Sequence, residues 1–186
     1  MYNEYNVDFD FDDYKDINEI EDKLWLGNWF SAGDIQDLKE KGIKKILTVM
    51  NGTPHKYDKE DGFNHKIIDI MDTSYENIIQ FFGECLNFIK GDEKVLVHCA
   101  AGASRSATIV IAYLMWKNKM KLDESLKFVQ KKRSIVDPNT GFKEQLRMFE
   151  KLLIENDYDI DKINFKEIKW VPPENMPSYW LWLIFD

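Results

Sequence analysis

The order of apolar runs predicts an α/β domain with helices on both faces of a sheet. Strand-like runs alternate with helical segments through the first half of the chain, and several helical segments follow with no strand between them. The centre of the pattern is Val95-Leu96-Val97-His98-Cys99-Ala100-Ala101-Gly102-Ala103-Ser104-Arg105-Ser106. There an apolar run meets a loop of small residues, and Arg105 then opens a long apolar segment reaching Trp116. A strand, a tight loop and a helix N-terminus make an anion site, because loop amides point inward and the helix dipole adds positive potential. A cysteine held there is expected as the thiolate, and an arginine six residues later grips the same anion with two prongs. A nucleophile inside a phosphate cradle indicates phosphoryl transfer through cysteine.

The 186 residues suit one domain of roughly 100–200 residues with extensions. Residues 1–19 form an acidic N-terminal extension interleaved with Tyr2, Tyr5, Phe9, Phe11 and Tyr14. The net charge of −8 is carried entirely by residues 1–22, which hold nine acids and one base, so the remainder is neutral. A solvated tail and a segment that docks on a basic patch are both open for it. The domain proper is expected over 20–156. Ile20 to Gly27 reads as a first strand. Ser31 is placed to cap a helix from Ala32 to Lys41, stopped by Gly42. Ile43 to Met50 is a second strand, broken by Asn51-Gly52-Thr53-Pro54, and His65 to Met71 a third.

Tyr75 to Lys90 has the spacing of an amphipathic helix, with Ile78, Ile79, Phe82, Cys85, Leu86 and Ile89 on one stripe. The strand Val95 to His98 follows, then helices over Arg105 to Lys119, Leu122 to Arg133 and from Asn139 or Gly141 to Asn156, with Asp137-Pro138 as an N-cap signal. Residues 157–186 form an aromatic, proline-containing C-terminal extension. It ends in Tyr179-Trp180-Leu181-Trp182-Leu183-Ile184-Phe185, for which packing on the domain and a partner or self-association surface are both open.

The motif His-Cys-x-x-Gly-x-Ser-Arg-Ser over His98 to Ser106 resembles the protein tyrosine phosphatase superfamily, specifically its small dual-specificity phosphatases. The likeness covers about residues 20–155. It extends to Leu24-Trp25-Leu26-Gly27, to Ile109 through Met115, and to Pro138-Asn139-x-Gly141-Phe142-x-x-Gln145-Leu146. It implies a central, mostly parallel twisted sheet of about five strands. It also implies an enzyme that hydrolyses phosphotyrosine and phosphoserine or phosphothreonine through a phosphocysteine, without metal or cofactor.

On that basis Cys99 is the nucleophile. The backbone amides of Ala100, Ala101, Gly102, Ala103, Ser104 and Arg105, with the Arg105 guanidinium, receive the phosphate oxygens. Ser106 aids release of the sulfur, His98 and Asn139 support the loop, and Arg133 matches a position that contacts a second phosphate. The leaving oxygen needs a proton. Asp69 and Asp72 are the available acids; Asp69 lies within an alternating strand and is expected to face away, whereas Asp72, just past the strand and nine residues before Phe81-Phe82, resembles the family's general-acid position and is favoured.

The loop carries alanines where lipid phosphatases of the superfamily place lysines, which directs the expectation to phosphoprotein substrates. A neutral body argues against nucleic acid, and no apolar run approaches the ~18 residues of a membrane span. Two cysteines, Cys85 and Cys99, build no disulfide framework. A reactive thiol indicates a reducing compartment, cytoplasmic with the nucleus open as well. Cys85 is expected to pack, with a role as resolving partner of Cys99 left open. The rival functions are a phosphoprotein-binding module with little turnover, a phosphatase acting on a non-protein ester, and a zinc site, which the adjacency of His98 and Cys99 fits poorly.

Overall fold

The computed structural model of the protein describes residues 16–53 and 55–173. The aromatic run from Tyr179 to Phe185 and the N-terminal stretch 1–15 lie outside the described residues. Five strands form one sheet: β1 (Ile17–Glu21), β2 (Leu24–Gly27), β3 (Ile43–Val49), β4 (Asn64–Ile68) and β5 (Lys94–His98), in the order β1-β2-β5-β3-β4. β1 is antiparallel to β2, and all other pairs are parallel. The helices are α1 (Trp29–Gly33), α2 (Ile35–Glu40), α3 (Phe82–Ile89), α4 (Arg105–Lys117), α5 (Leu122–Lys132) and α6 (Thr140–Glu155). None among the described residues is long and apolar enough to cross a membrane.

Alternation along the strands feeds two cores. Val95 and Val97 of β5, with Leu47 and Val49 of β3, face the larger cluster under α3 to α6. Leu96 and Ile46 face the smaller one, with Ala32 and Leu38 of α1 and α2. α4 is buried from Arg105 through Met115 and packs against α3, α5, α6 and the sheet, so beyond its first turn, from Ile109 to Met115, its side chains are apolar all round.

The structure redraws several expected elements. The single strand over 20–27 is a hairpin: Lys23 adopts φ +72° and reverses the chain, and β1 begins at Ile17, inside the stretch expected as tail. The helix expected over 32–41 is two short helices, because Asn28 Oδ1 caps at Ser31 N–H (2.9 Å) and Asp34 Oδ1 caps again at Asp37 N–H (3.0 Å). The helix expected over 75–90 is confined to Phe82–Ile89, after a 3-10 turn at Ile79–Phe81. The Gln145 side chain accounts for the late start. It accepts from Ile79 N–H (3.0 Å) and donates to Glu76 O (2.9 Å), taking backbone groups that a longer helix would pair internally.

The apolar stripe still faces the core, with Cys85 wholly buried in it. At α6 the cap is Asn139, whose Oδ1 accepts from Phe142 N–H (2.9 Å), and Asp137-Pro138 precede it. Beyond α6, residues 157–171 turn back onto the domain, burying Ile160 and Phe165.

Candidate active site

The carboxyl ends of the parallel strands meet on one edge of the sheet, where sites form in open α/β sheets. β5 delivers Cys99, β3 delivers Asn51 two residues past its end, and β4 delivers Asp72 four residues past its end. Cys99 Sγ is buried at 1% exposure and accepts two hydrogen bonds, from Gly102 N–H (3.2 Å) and from the Ser106 hydroxyl (3.1 Å).

The loop after Cys99 has its carbonyls turned outward and each one taken by a donor from elsewhere. Ala100 O accepts from Trp29 N–H (3.1 Å) and Ala103 O from Asp137 N–H (2.9 Å). Ala101 O and Gly102 O accept from the Arg133 guanidinium, through Nη2 and Nε, both at 2.8 Å. In a planar trans peptide the carbonyl and the following N–H point opposite ways. Carbonyls held outside therefore turn the amides of Ala101, Gly102, Ala103 and Ser104 toward the hollow above the sulfur, as an oxyanion site requires. Gly102 is at φ +68°, and a Cβ there would stand 2.5 Å from Gly27 O, so only glycine fits.

Arg105, the first residue of α4, is 5% exposed. Its Nη1 donates to Asn51 Oδ1 and to Ile70 O, both at 3.3 Å, which lays the guanidinium along the rim of the hollow. Its Nε lies 3.5 Å from Asp72 Oδ2, an ion pair without hydrogen-bond geometry. Asp72 Oδ1 accepts from the Ser104 hydroxyl (2.7 Å) and from Asn139 Nδ2 (2.8 Å), and the Ser104 oxygen accepts in turn from Asn139 N–H (3.1 Å). One carboxylate oxygen is thus fixed and the other is left toward the arginine. Asp69 is exposed just past β4, so Asp72 is the acid brought to the loop.

His98 lies wholly buried beneath the loop. Its Nε2 shares a hydrogen bond with Thr48 Oγ1 (2.7 Å), and that oxygen meets His65 Nε2 at 2.8 Å. Burial, with His55 nearby adding to it, pushes the His98 pKa down to about 3, so the ring is neutral.

Placement corrects the expectation for Arg133 and agrees with the packing expected of Cys85. Arg133 is 3% exposed, and its guanidinium is committed to two loop carbonyls, to Asn18 Oδ1 (2.8 Å) and to Asp16 Oδ1 (2.5 Å). It braces the loop from behind and does not stand open for a second phosphate. Cys85 is buried in the core, where burial and then the Glu84 carboxylate push its thiol pKa up, so it packs as a small hydrophobe. Sequence reasoning missed Asn51, Asp16 and Asn18. Asn51 had a usable signal, its place just past a parallel strand, whereas the brace partners of Arg133 carried none.

A family model described as the catalytic domain of dual specificity phosphatases matches residues 24–152. The chain is 36% identical over 155 residues to the tyrosine-protein phosphatase yvh1 of Schizosaccharomyces pombe, covering 81% of this chain and 45% of that one. It is 38% identical over 146 residues to dual specificity protein phosphatase 1B of Arabidopsis thaliana, covering 76% of this chain and 86% of the relative. Among solved structures, the human tyrosine phosphatase-like serine/threonine/tyrosine-interacting protein superposes with a TM-score of 0.70 at 36% identity, over 74% of this chain and 97% of the other. The chain therefore spans less than half of the fission-yeast protein and most of the plant one.

Proposed function

The chain belongs to the dual specificity phosphatase family, and on that premise we propose that it hydrolyses phosphate monoesters carried on proteins, on tyrosine and on serine or threonine, through a phosphocysteine at Cys99. The observation that carries this is the loop with every carbonyl from Ala100 to Ala103 held outward around a buried sulfur.

A phosphoryl group seated there places its equatorial oxygens against the amides of Ala101 to Ser104 and the Arg105 guanidinium, where charge is stabilised. The Cys99 sulfur attacks phosphorus in line. The bond from phosphorus to the ester oxygen breaks, and Asp72 gives that oxygen a proton. Oδ2 is the proton-bearing oxygen, because Oδ1 is already an acceptor for Ser104 and Asn139. In the second step water attacks phosphorus, Asp72 takes its proton, and the S–P bond breaks. The Ser106 hydroxyl, 3.1 Å from the sulfur, stabilises the thiolate as it leaves.

The uncharged side chains of Ala100, Ala101 and Ala103 favour phosphoprotein substrates over densely charged lipid head groups. A reducing, cytoplasmic setting suits a free nucleophilic thiol. The test is hydrolysis of an aryl phosphate by the purified chain, abolished in Cys99→Ser, followed by capture of phosphoproteins on that variant. An aryl phosphatase activity that survives Cys99→Ser would overturn the assignment.

A further inference from the structure

We propose that the segment after α6, residues 157–171, is a strap that holds the loop bearing Asp72, and that Trp170 is a positioning residue for that carboxylate. The proposal rests on Asp72 as the proton donor. The whole strap lies beyond the residues that match the family model, which end at 152.

The strap is anchored first. Trp116 Nε1 donates to Tyr158 O (3.0 Å), Ile160 is buried, and Phe165 lies over Gly83 at the second residue of α3. A Cβ at Gly83 would stand 2.6 Å from the Phe165 ring, so the fit depends on that glycine. From this anchor the strap runs to the acid loop and makes two contacts with it. Asn77 Nδ2 donates to Ile168 O (2.8 Å), and Trp170 Nε1 donates to Ser74 O (2.8 Å).

Ser74, two residues after Asp72, is thereby held from both sides. On the other side α6 begins: the Ser74 hydroxyl meets Thr140 Oγ1 at 3.1 Å, and Gly141 lets the Ser74 carbonyl approach so closely that a Cβ would stand 2.2 Å from it. Residues 71–78 belong to no helix or strand. On the inner side they are held by the Oδ1 contacts and the Arg105 ion pair of Asp72, by Gln145 at Glu76 O and by the start of α6, and on the outer side by the strap, through Ile168 O and the Trp170 indole. A loop pinned on one side samples orientations of the carboxylate that miss the leaving oxygen, and catalysis by a positioned acid is sensitive to small displacements.

The experiment uses the full chain and aryl phosphates with leaving groups of graded basicity. Asp72→Asn lowers kcat most for the poorest leaving groups. Trp170→Phe, which keeps the ring and loses the N–H, shifts kcat in the same pattern, by about tenfold for poor leaving groups, with KM unchanged. It has no further effect in the Asp72→Asn background. A uniform loss across leaving groups, or none, overturns the proposal. If Asp72→Asn itself leaves the leaving-group dependence unaltered, the proton-donor assignment fails. Amide exchange then decides the strap separately: faster exchange over residues 73–78 in Trp170→Phe supports it, and unchanged protection overturns it.

Discussion

Arg133 shows how a buried side chain fixes the shape of a loop from behind. Two of its nitrogens hold the carbonyls of Ala101 and Gly102, and a third reaches back to Asn18 and Asp16 at the start of the sheet. Removing it strands two carbonyls and lets their peptides turn. With each unsatisfied buried group costing about 1–3 kcal/mol, Arg133→Met is expected to lose about 2–6 kcal/mol of stability by urea unfolding. Inorganic phosphate, measured as a competitive inhibitor, should bind at least ~10-fold more weakly, which corresponds to about 1.4 kcal/mol. An unchanged inhibition constant in a folded variant would mean that the loop keeps its shape unaided. Asp72 and Asp69 separate just as cleanly. Asp72→Asn slows turnover of poor leaving groups by about 10²-fold or more, and Asp69→Asn leaves it unchanged, since Asp69 faces solvent. The meeting of Cys99, Arg105 and Asp72 at one loop was legible because spacing within one short motif, or position at a strand end, marks them. The buried role of Arg133 was not, because a lysine-rich helix end reads as solvated charge and its side-chain partners Asn18 and Asp16 lie 115 residues away or more.

Elements were legible where one periodicity governs them and misread where side chains from elsewhere take backbone groups. The stripe from Ile78 to Ile89 predicts the correct buried face, yet Gln145 of α6 ends the helix early at its N-terminal side. The hairpin over 17–27 is hidden in the sequence because Lys23 holds a positive φ with no glycine to mark the turn. α6 itself bears a prediction that inverts the usual helix rule. In an exposed helix interior, alanine is favoured over glycine by about 1 kcal/mol. At Gly141 an added Cβ would stand 2.2 Å from Ser74 O and 2.7 Å from Ser74 Cα, contacts that backbone cannot relieve without moving the acid loop. Gly141→Ala is therefore expected to destabilise by about 1–3 kcal/mol in urea unfolding. It should lower kcat toward poor leaving groups together with stability. A more stable protein of full activity would show that the loop yields at no cost.

At the scale of the whole molecule, the sheet brings all three histidines of the chain to one side of β3 and β5, behind the phosphate loop. His98 and His65 share the Thr48 hydroxyl, and the rings of His55 and His98 lie 6.0 Å apart. This clustering was not legible from sequence, since it depends on the pairing of β3 with β4 and β5. Burial lowers the pKa of His65 as well as that of His98, so both rings resist protonation in the fold. In the unfolded chain His98 takes a proton near its ordinary 6.5, while in the fold it waits until about 3. Between those values the unfolded state binds more protons, so stability is full above pH 6.5 and falls as pH drops toward 3. The slope is about 1.4 kcal/mol per pH unit for His98 alone, and the lowered His65 adds loss of the same sign. Carboxylates enter mainly below about pH 5, so the histidine effect is isolated by unfolding at pH 7.5 and 5.5. The full chain should lose at least ~1 kcal/mol between the two. His98→Asn, less stable at pH 7.5, should lose measurably less on acidification. A full chain whose stability is flat across that interval would mean that a charged imidazole is accommodated beneath the loop, and the neutral, hydrogen-bonded floor under Cys99 would have to be abandoned.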